Sequence, residues 1–129
     1  MPSLTSVLLM LLFFAVPLPQ EPPAAPSTTP AANPVKPTAE SQAFAKKMYG
    51  YDCAVCHGEK GNGNGDLATE QKLQLKDWAT SDALKEITDQ QMYDLIVKGK
   101  GGMPPEGDRL KPDQVWNMVI YTRSLGKKG

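Results

Sequence analysis

Cys53-Ala54-Val55-Cys56-His57 gathers both cysteines and the only histidine of this 129-residue chain into five consecutive positions. Two thiols three positions apart sit about one helical turn from each other. C-x-x-C-H is the attachment sequence of a c-type haem. Each thiol can bond one vinyl group of the same porphyrin, and the histidine that follows is carried under the ring plane, where its imidazole can ligate iron. The competing chemistries need partners the sequence lacks. A structural zinc site takes four N/S ligands, and three are present. A thioredoxin-like redox pair belongs beside a βαβ pattern, and none surrounds this motif. A disulfide closing so small a loop would stabilise little. Covalent haem, attached through Cys53 and Cys56 with His57 on iron, is the reading these residues support.

An electron-carrying iron wants a second axial ligand. With one histidine in the chain, bis-histidine ligation is ruled out, and methionine is the remaining strong candidate. Met48 lies five residues before Cys53 and is tied to the proximal side. Met92 falls with Leu95 and Ile96 at helical spacing, and Met118 lies among Val115, Trp116, Val119 and Ile120, so both read as core. Met103 differs. It sits in Gly99-Lys100-Gly101-Gly102-Met103-Pro104-Pro105, where glycines permit tight turns and prolines stiffen the exit. Such a loop suits presenting a thioether across a pocket, and Met103 is the expected distal ligand.

Together these features make the chain resemble the class I c-type cytochromes, the family of small soluble monohaem proteins. Phe44-Ala45-Lys46-Lys47-Met48-Tyr49 resembles the family's N-terminal helix, with Tyr49 at the aromatic position before the first cysteine. His57-Gly58-Glu59-Lys60-Gly61-Asn62-Gly63-Asn64-Gly65 resembles its glycine-rich turn. Met103-Pro104-Pro105 resembles the distal-ligand loop, and Trp116 to Leu125, with Tyr121, the C-terminal helix. The resemblance spans residues 39–129. It implies an all-α domain with helices packed around one covalently bound haem c and its iron, and with long irregular loops. Ala45 departs from the family, which usually has glycine where the terminal helices cross; alanine is small enough for the crossing to survive at slightly wider spacing.

The residues alone give the same outline. Thr38 or Ser41 can cap a helix to about Tyr51 that carries Phe44, Met48 and Tyr51 on one face. Glycines 58, 61, 63 and 65 break periodicity. Residues 66–87 are weakly patterned, with a short helix conceivable at Asp82–Glu86. Thr88 and Gln91 form a capping-box pattern before a helix over Gln90–Lys98 that Gly99 stops. Lys111-Pro112 opens the last helix and Gly126 ends it. No segment alternates convincingly as a strand. The core is small for about ninety residues, so a buried haem is expected to supply the missing apolar surface. Tyr49, Trp78, Trp116 and Tyr121 are expected near the haem or the helix crossing, Trp78 also as a donor to a haem propionate.

The first 38 residues have another character. Val7 to Val16 is an unbroken apolar run, and even from Leu4 it reaches about 13 residues, short of the roughly 20 a spanning helix needs. Residues 1–18 read as a secretory signal peptide or N-terminal membrane anchor, with a tether through residues 4–18 if they are retained. No basic residue precedes the run, and the first is Lys36. Cleavage is favoured over retention. Residues 19–38 form a Pro/Ala-rich disordered linker; at about 3.1 Å per residue, some 20 residues reach roughly 60 Å. The protein is expected to be exported, and to be periplasmic or attached to the outer face of the cytoplasmic membrane.

Fourteen basic residues balance 14 acidic ones, so no overall field steers a partner or suggests nucleic acid. Lys98, Lys100, Arg109 and Lys111 flank Met103 but alternate with Glu106 and Asp108, which reads as a mixed solvated surface. The expected function is that of a single-electron carrier with His/Met ligation in a respiratory or other membrane-associated chain, exchanging electrons with redox partner proteins. No small-molecule substrate is implied, and no acid or base stands near the motif to make it an enzyme. The alternatives are a haem c subunit of a dehydrogenase or oxidase complex and, if Met103 does not ligate, a ligand-binding sensor or enzyme.

Overall fold

Thr38 starts the first helix by reciprocal capping: its Oγ1 accepts from Ser41 N–H at 3.1 Å, and Ser41 Oγ accepts from Thr38 N–H at 2.9 Å. The computed structural model describes residues 32–80 and 82–126. Helix α1 spans Ala39–Met48 and runs without a break into a wider, π-helical turn over Tyr49–Cys53, which passes into the short helix α2 over Ala54–His57. The π-turn inserts extra backbone into the winding and rotates every later side chain. Tyr49, one turn after the buried Ala45, stays on the buried face at 2% exposure, while Tyr51 stands out at 69% with the Lys47 ammonium 5.9 Å from its ring centre. The expectation that Tyr51 shares a face with Phe44 and Met48 assumed a constant 3.6-residue period, and the period changes at Tyr49.

The glycine-rich segment then folds back over the motif. Gly63 N–H donates to His57 O at 2.8 Å and Gly65 N–H to Cys56 O at 3.0 Å. A short helix α3 follows over Asp66–Glu70, its Thr69 N–H bonded to Gly65 O. This helix is unmarked in the sequence: five residues give no periodicity to read. Asp82–Glu86 forms hydrogen-bonded turns, not a helix. Helix α4, Asp89–Lys98, begins at the Thr88/Gln91 capping box and stops at Gly99. Helix α5, Pro112–Leu125, has proline at its first position and ends at Gly126. Among the described residues there is no strand, only an isolated bridge between Lys100 and Met103. The fold is all-α with long loops.

Helices α1 and α5 cross with Ala45 fully buried between them, so alanine serves where the family usually has glycine. A polar lock secures the crossing. Asn117, buried on α5, accepts from Ser41 Oγ at 2.8 Å and Gln42 Nε2 at 2.9 Å through one oxygen, and its amide nitrogen donates to Asp113 O at 2.8 Å. Tyr49 meets Tyr121 at 5.3 Å between ring centres. Helix α4 packs on the other side of α5, with Tyr93 against Trp116 at 4.4 Å. Arg123 ties the 84–87 turn into this layer: its guanidinium donates to Leu84 O and Ile87 O and pairs with Asp89 at 2.8 Å. The residues just before α1 lie against α5, where Asn33 Nδ2 donates to Trp116 O at 3.1 Å and Val35 is half-buried. Residues 1–31, with the apolar run and most of the linker, lie outside the described residues. Among the described ones no helix is long and apolar enough to cross a membrane.

Replacing Asn117 by alanine removes the one oxygen that accepts from both Ser41 Oγ and Gln42 Nε2 across the crossing. We expect a loss of about 1–3 kcal/mol, read as a fall of about 4–20 °C in the melting temperature of the haem-loaded protein. A change below about 0.5 kcal/mol would show that the lock carries no weight.

Candidate haem site

Between the π-turn with α2, helices α4 and α5, the 76–87 segment and the Met103 loop lies a cavity of about 360 Å³. Leu84, Ile87, Leu95 and Ile96 give it aliphatic walls, Met92 and Met118 add two thioethers, and Lys76 and Glu86, paired at 2.9 Å, stand at its solvent side. Three of the four site residues read from the sequence reach it: Cys53, His57 and Met103. Cys56 is half-buried in the same helical turn as His57 but is not part of the lining. Met92 and Met118 are buried, as expected of core residues, and face the same cavity. Met48 packs on the core outside it.

The motif side is built from a hydrogen bond and a ring. Tyr49 Oη donates to Gly58 O at 2.8 Å, tying the turn after His57 back to the end of α1. Burial pushes the Tyr49 hydroxyl well above its ordinary range, which keeps it a donor. Trp78 stacks on the His57 imidazole with ring centres 4.0 Å apart and planes 19° from parallel. Burial lowers the His57 pKa and so holds the imidazole neutral, the form a metal binds. Its Nδ1 is buried with no hydrogen-bond partner in the protein. Burial first, then the carboxylates of Asp52 and Glu106, push the Cys53 thiol up to about 12. That environment opposes a thiolate, and with it a redox pair or a thiolate metal site. It leaves a sulfur suited to bonding carbon.

On the opposite segment, backbone geometry presents Met103. Lys100 and Met103 exchange N–H···O bonds of 3.1 and 3.0 Å around a tight turn. Gly99 permits it: φ there is +66°, and a Cβ would lie 2.4 Å from Met103 O. The two segments are clasped by Arg109. Its guanidinium bonds Asp52, the residue before Cys53, at 3.2–3.3 Å and Glu106, three residues after Met103, at 2.9 Å. Glu106 is 6% exposed, and its carboxyl is raised by burial against the pull of Arg109. No local pattern marks this clasp, since Arg109 and Asp52 are 57 positions apart. With Arg109 committed to it and Lys98 paired with Asp94 at 3.4 Å, the surface beside Met103 is mixed rather than basic.

An apolar cavity fitted with an imidazole, a thioether loop and a protonated cysteine suits a haem. Among the described residues no cluster of three or more His, Cys, Asp or Glu could hold a bare metal ion instead. An all-helical domain closed around such a cavity defines a c-type cytochrome. Comparison with known proteins agrees: residues 40–121 match the family described as cytochrome c oxidase, cbb3-type, subunit III, and the chain belongs to that family. Its cofactor is therefore covalently bound haem c, and its chemistry is haem-based electron transfer.

The cbb3-type cytochrome c oxidase subunit FixP of Azorhizobium caulinodans is 35% identical over 104 residues, which cover 80% of this chain and 30% of FixP. Cytochrome c6 of Gloeothece citriformis is 32% identical over 83 residues, 64% of this chain and 70% of that protein. Among solved structures, the KustC0563 c-type cytochrome superposes with a TM-score of 0.55 at 27% identity, covering 63% of this chain and 95% of its own. The chain thus spans under a third of FixP and most of a cytochrome c6.

Without haem, the apolar wall of Leu84, Ile87, Leu95 and Ile96 has no partner to cover it, and the burial that a haem face would supply is lost. A Cys53→Ala/Cys56→Ala chain, unable to retain haem covalently, is expected to lose most of its helical circular dichroism. Native-like helicity in the haem-free variant would show that the helices pack without the cofactor.

Proposed function

We propose that the chain is a one-electron carrier whose haem c is attached through Cys53 and Cys56 and held axially by His57 and Met103. Haem c supplies the one-electron couple of its iron. The protein's part is to hold both ligands in place and keep water out, so that little rearranges between oxidation states. His57 is a neutral imidazole fixed by its helical turn and by Trp78. Met103 is the cavity-lining thioether that comes from a loop rather than a helix, and the bridge to Lys100 fixes its backbone. The single observation that carries the reading is that His57 and Met103, 46 positions apart in sequence, line the same apolar cavity.

The family match favours a second reading, in which the same site is a relay within a larger oxidase or dehydrogenase. Donor and acceptor would then be fixed neighbours instead of diffusing partners. Both readings place the domain outside the cytoplasmic membrane, in the periplasm or on its outer face. They also assign residues 1–18 to a signal peptide or anchor and the Pro/Ala-rich segment to a tether that ends where Asn33 meets α5. A tagged chain that copurifies with a stoichiometric membrane partner would select the relay.

The axial assignment is tested by carbon monoxide. The reduced wild type should be indifferent to it, and Met103→Ala should bind it readily. Should Met103→Ala stay unreactive, Met92 or Met118, which share the cavity, is the ligand. Should the wild type itself bind carbon monoxide, the site is open and belongs to a sensor or an enzyme.

A further inference from the structure

A histidine that binds metal through one ring nitrogen ordinarily donates the N–H of the other to a carbonyl or carboxylate, which fixes the ring and makes the ligand more basic. His57 has no such partner. Its Nδ1 is buried and meets no acceptor in the protein. Carbonyls of the motif and of the turn after it already accept bonds: His57 O from Gly63 N–H, Cys56 O from Gly65 N–H, and Gly58 O from Gly61 N–H and from the Tyr49 hydroxyl.

The ring has Trp78 instead, stacked at 4.0 Å and 19°. Trp78 is itself held from several sides. Its backbone N–H donates to Gly61 O at 2.6 Å. Gly61, at φ +73°, brings its backbone against the Trp78 side chain, where a Cβ would lie 3.3 Å from Trp78 Cβ. Gly126, at the end of α5, lets Trp78 O approach to 2.9 Å from where its own Cβ would be. Two glycines, one in the turn after the motif and one at the end of α5, thus accommodate one tryptophan, and that tryptophan covers one imidazole.

The geometry points to Trp78 as the positioning residue of His57: by stacking, it fixes the imidazole plane and seals a free Nδ1–H from water. This rests on the reading of His57 as an iron ligand. An imidazole whose second N–H is unbonded is a weaker donor than a hydrogen-bonded one and stabilises ferric iron less. The arrangement therefore raises the reduction potential. Removing the indole admits water to Nδ1, strengthens the ligand and lowers the potential.

The test uses the haem-loaded protein, nitrogen-15 labelled and reduced. In the wild type the His57 Nδ1–H should exchange slowly with solvent and lack the downfield shift of a hydrogen-bonded N–H. Trp78→Ala should lose the slow exchange, alter the ring-proton hyperfine shifts of His57 in the oxidised state, and lower the potential. Trp78→Phe should keep all three near wild type. A downfield, hydrogen-bonded Nδ1–H in the wild type overturns the proposal, as does a Trp78→Ala protein with unchanged exchange and potential. If Trp78→Ala fails to take up haem, the wild-type spectrum and Trp78→Leu decide, since leucine fills space but cannot stack. A wild-type His57 without the shifts of an iron ligand would sink the axial reading itself, an outcome distinct from a ligating His57 that Trp78 does not position.

Discussion

The helices of this protein enclose a space they cannot fill. Leu84, Met92, Ile96 and Met118 are buried in the core and at the same time form the cavity wall, so the apolar surface that would stabilise the domain is turned toward the cofactor's place. Hydrophobic stabilisation scales with the area removed from water. The rest of the architecture answers to that constraint: a glycine-rich turn, a long irregular stretch and a methionine loop are affordable because they close over a ligand. Where protein must meet protein without the cofactor, at the α1–α5 crossing, packing is close and a polar lock through Asn117 fixes it.

The parts of this plan that were legible in the sequence are those written in local chemistry. The capping boxes at Thr38 and Thr88, the proline opening α5 and the glycine after α4 each set a helix boundary through neighbours within four positions. The C-x-x-C-H spacing and the glycine-flanked Met103 are local in the same sense. The reading failed where backbone winding departs from its period. The π-turn at Tyr49–Cys53 turns Tyr51 outward, and no pattern of residue types announces an extra residue in a turn. Helix α3 escaped because five residues are too few to show a face.

Long-range electrostatics were invisible for a different reason. Arg109 and Arg123 look like surface charges in the sequence, yet each joins segments more than 30 positions apart. An exposed ion pair contributes little by itself. Arg109 matters more because one partner, Glu106, is buried and would be left uncompensated without it. Arg123 matters because it satisfies two carbonyls of a turn that has no regular structure to do so. Both arginines hold irregular segments that line or flank the cavity, which is where a domain of short helices lacks backbone ladders.

The two sides of the site are therefore fixed by different means. His57 is located by covalent neighbours within one turn and by a side chain, Trp78, stacked on its ring. Met103 is located by backbone closure, through the bridge to Lys100 and the close approach that Gly99 allows. Side-chain stacking tunes a ligand's orientation and solvation without altering the path of the chain. A loop closed by two hydrogen bonds sets whether its ligand is present at all. If both serve as the proposed ligands, the His57 side would set how the iron's two oxidation states are balanced, and the Met103 side would set whether another ligand can reach the iron.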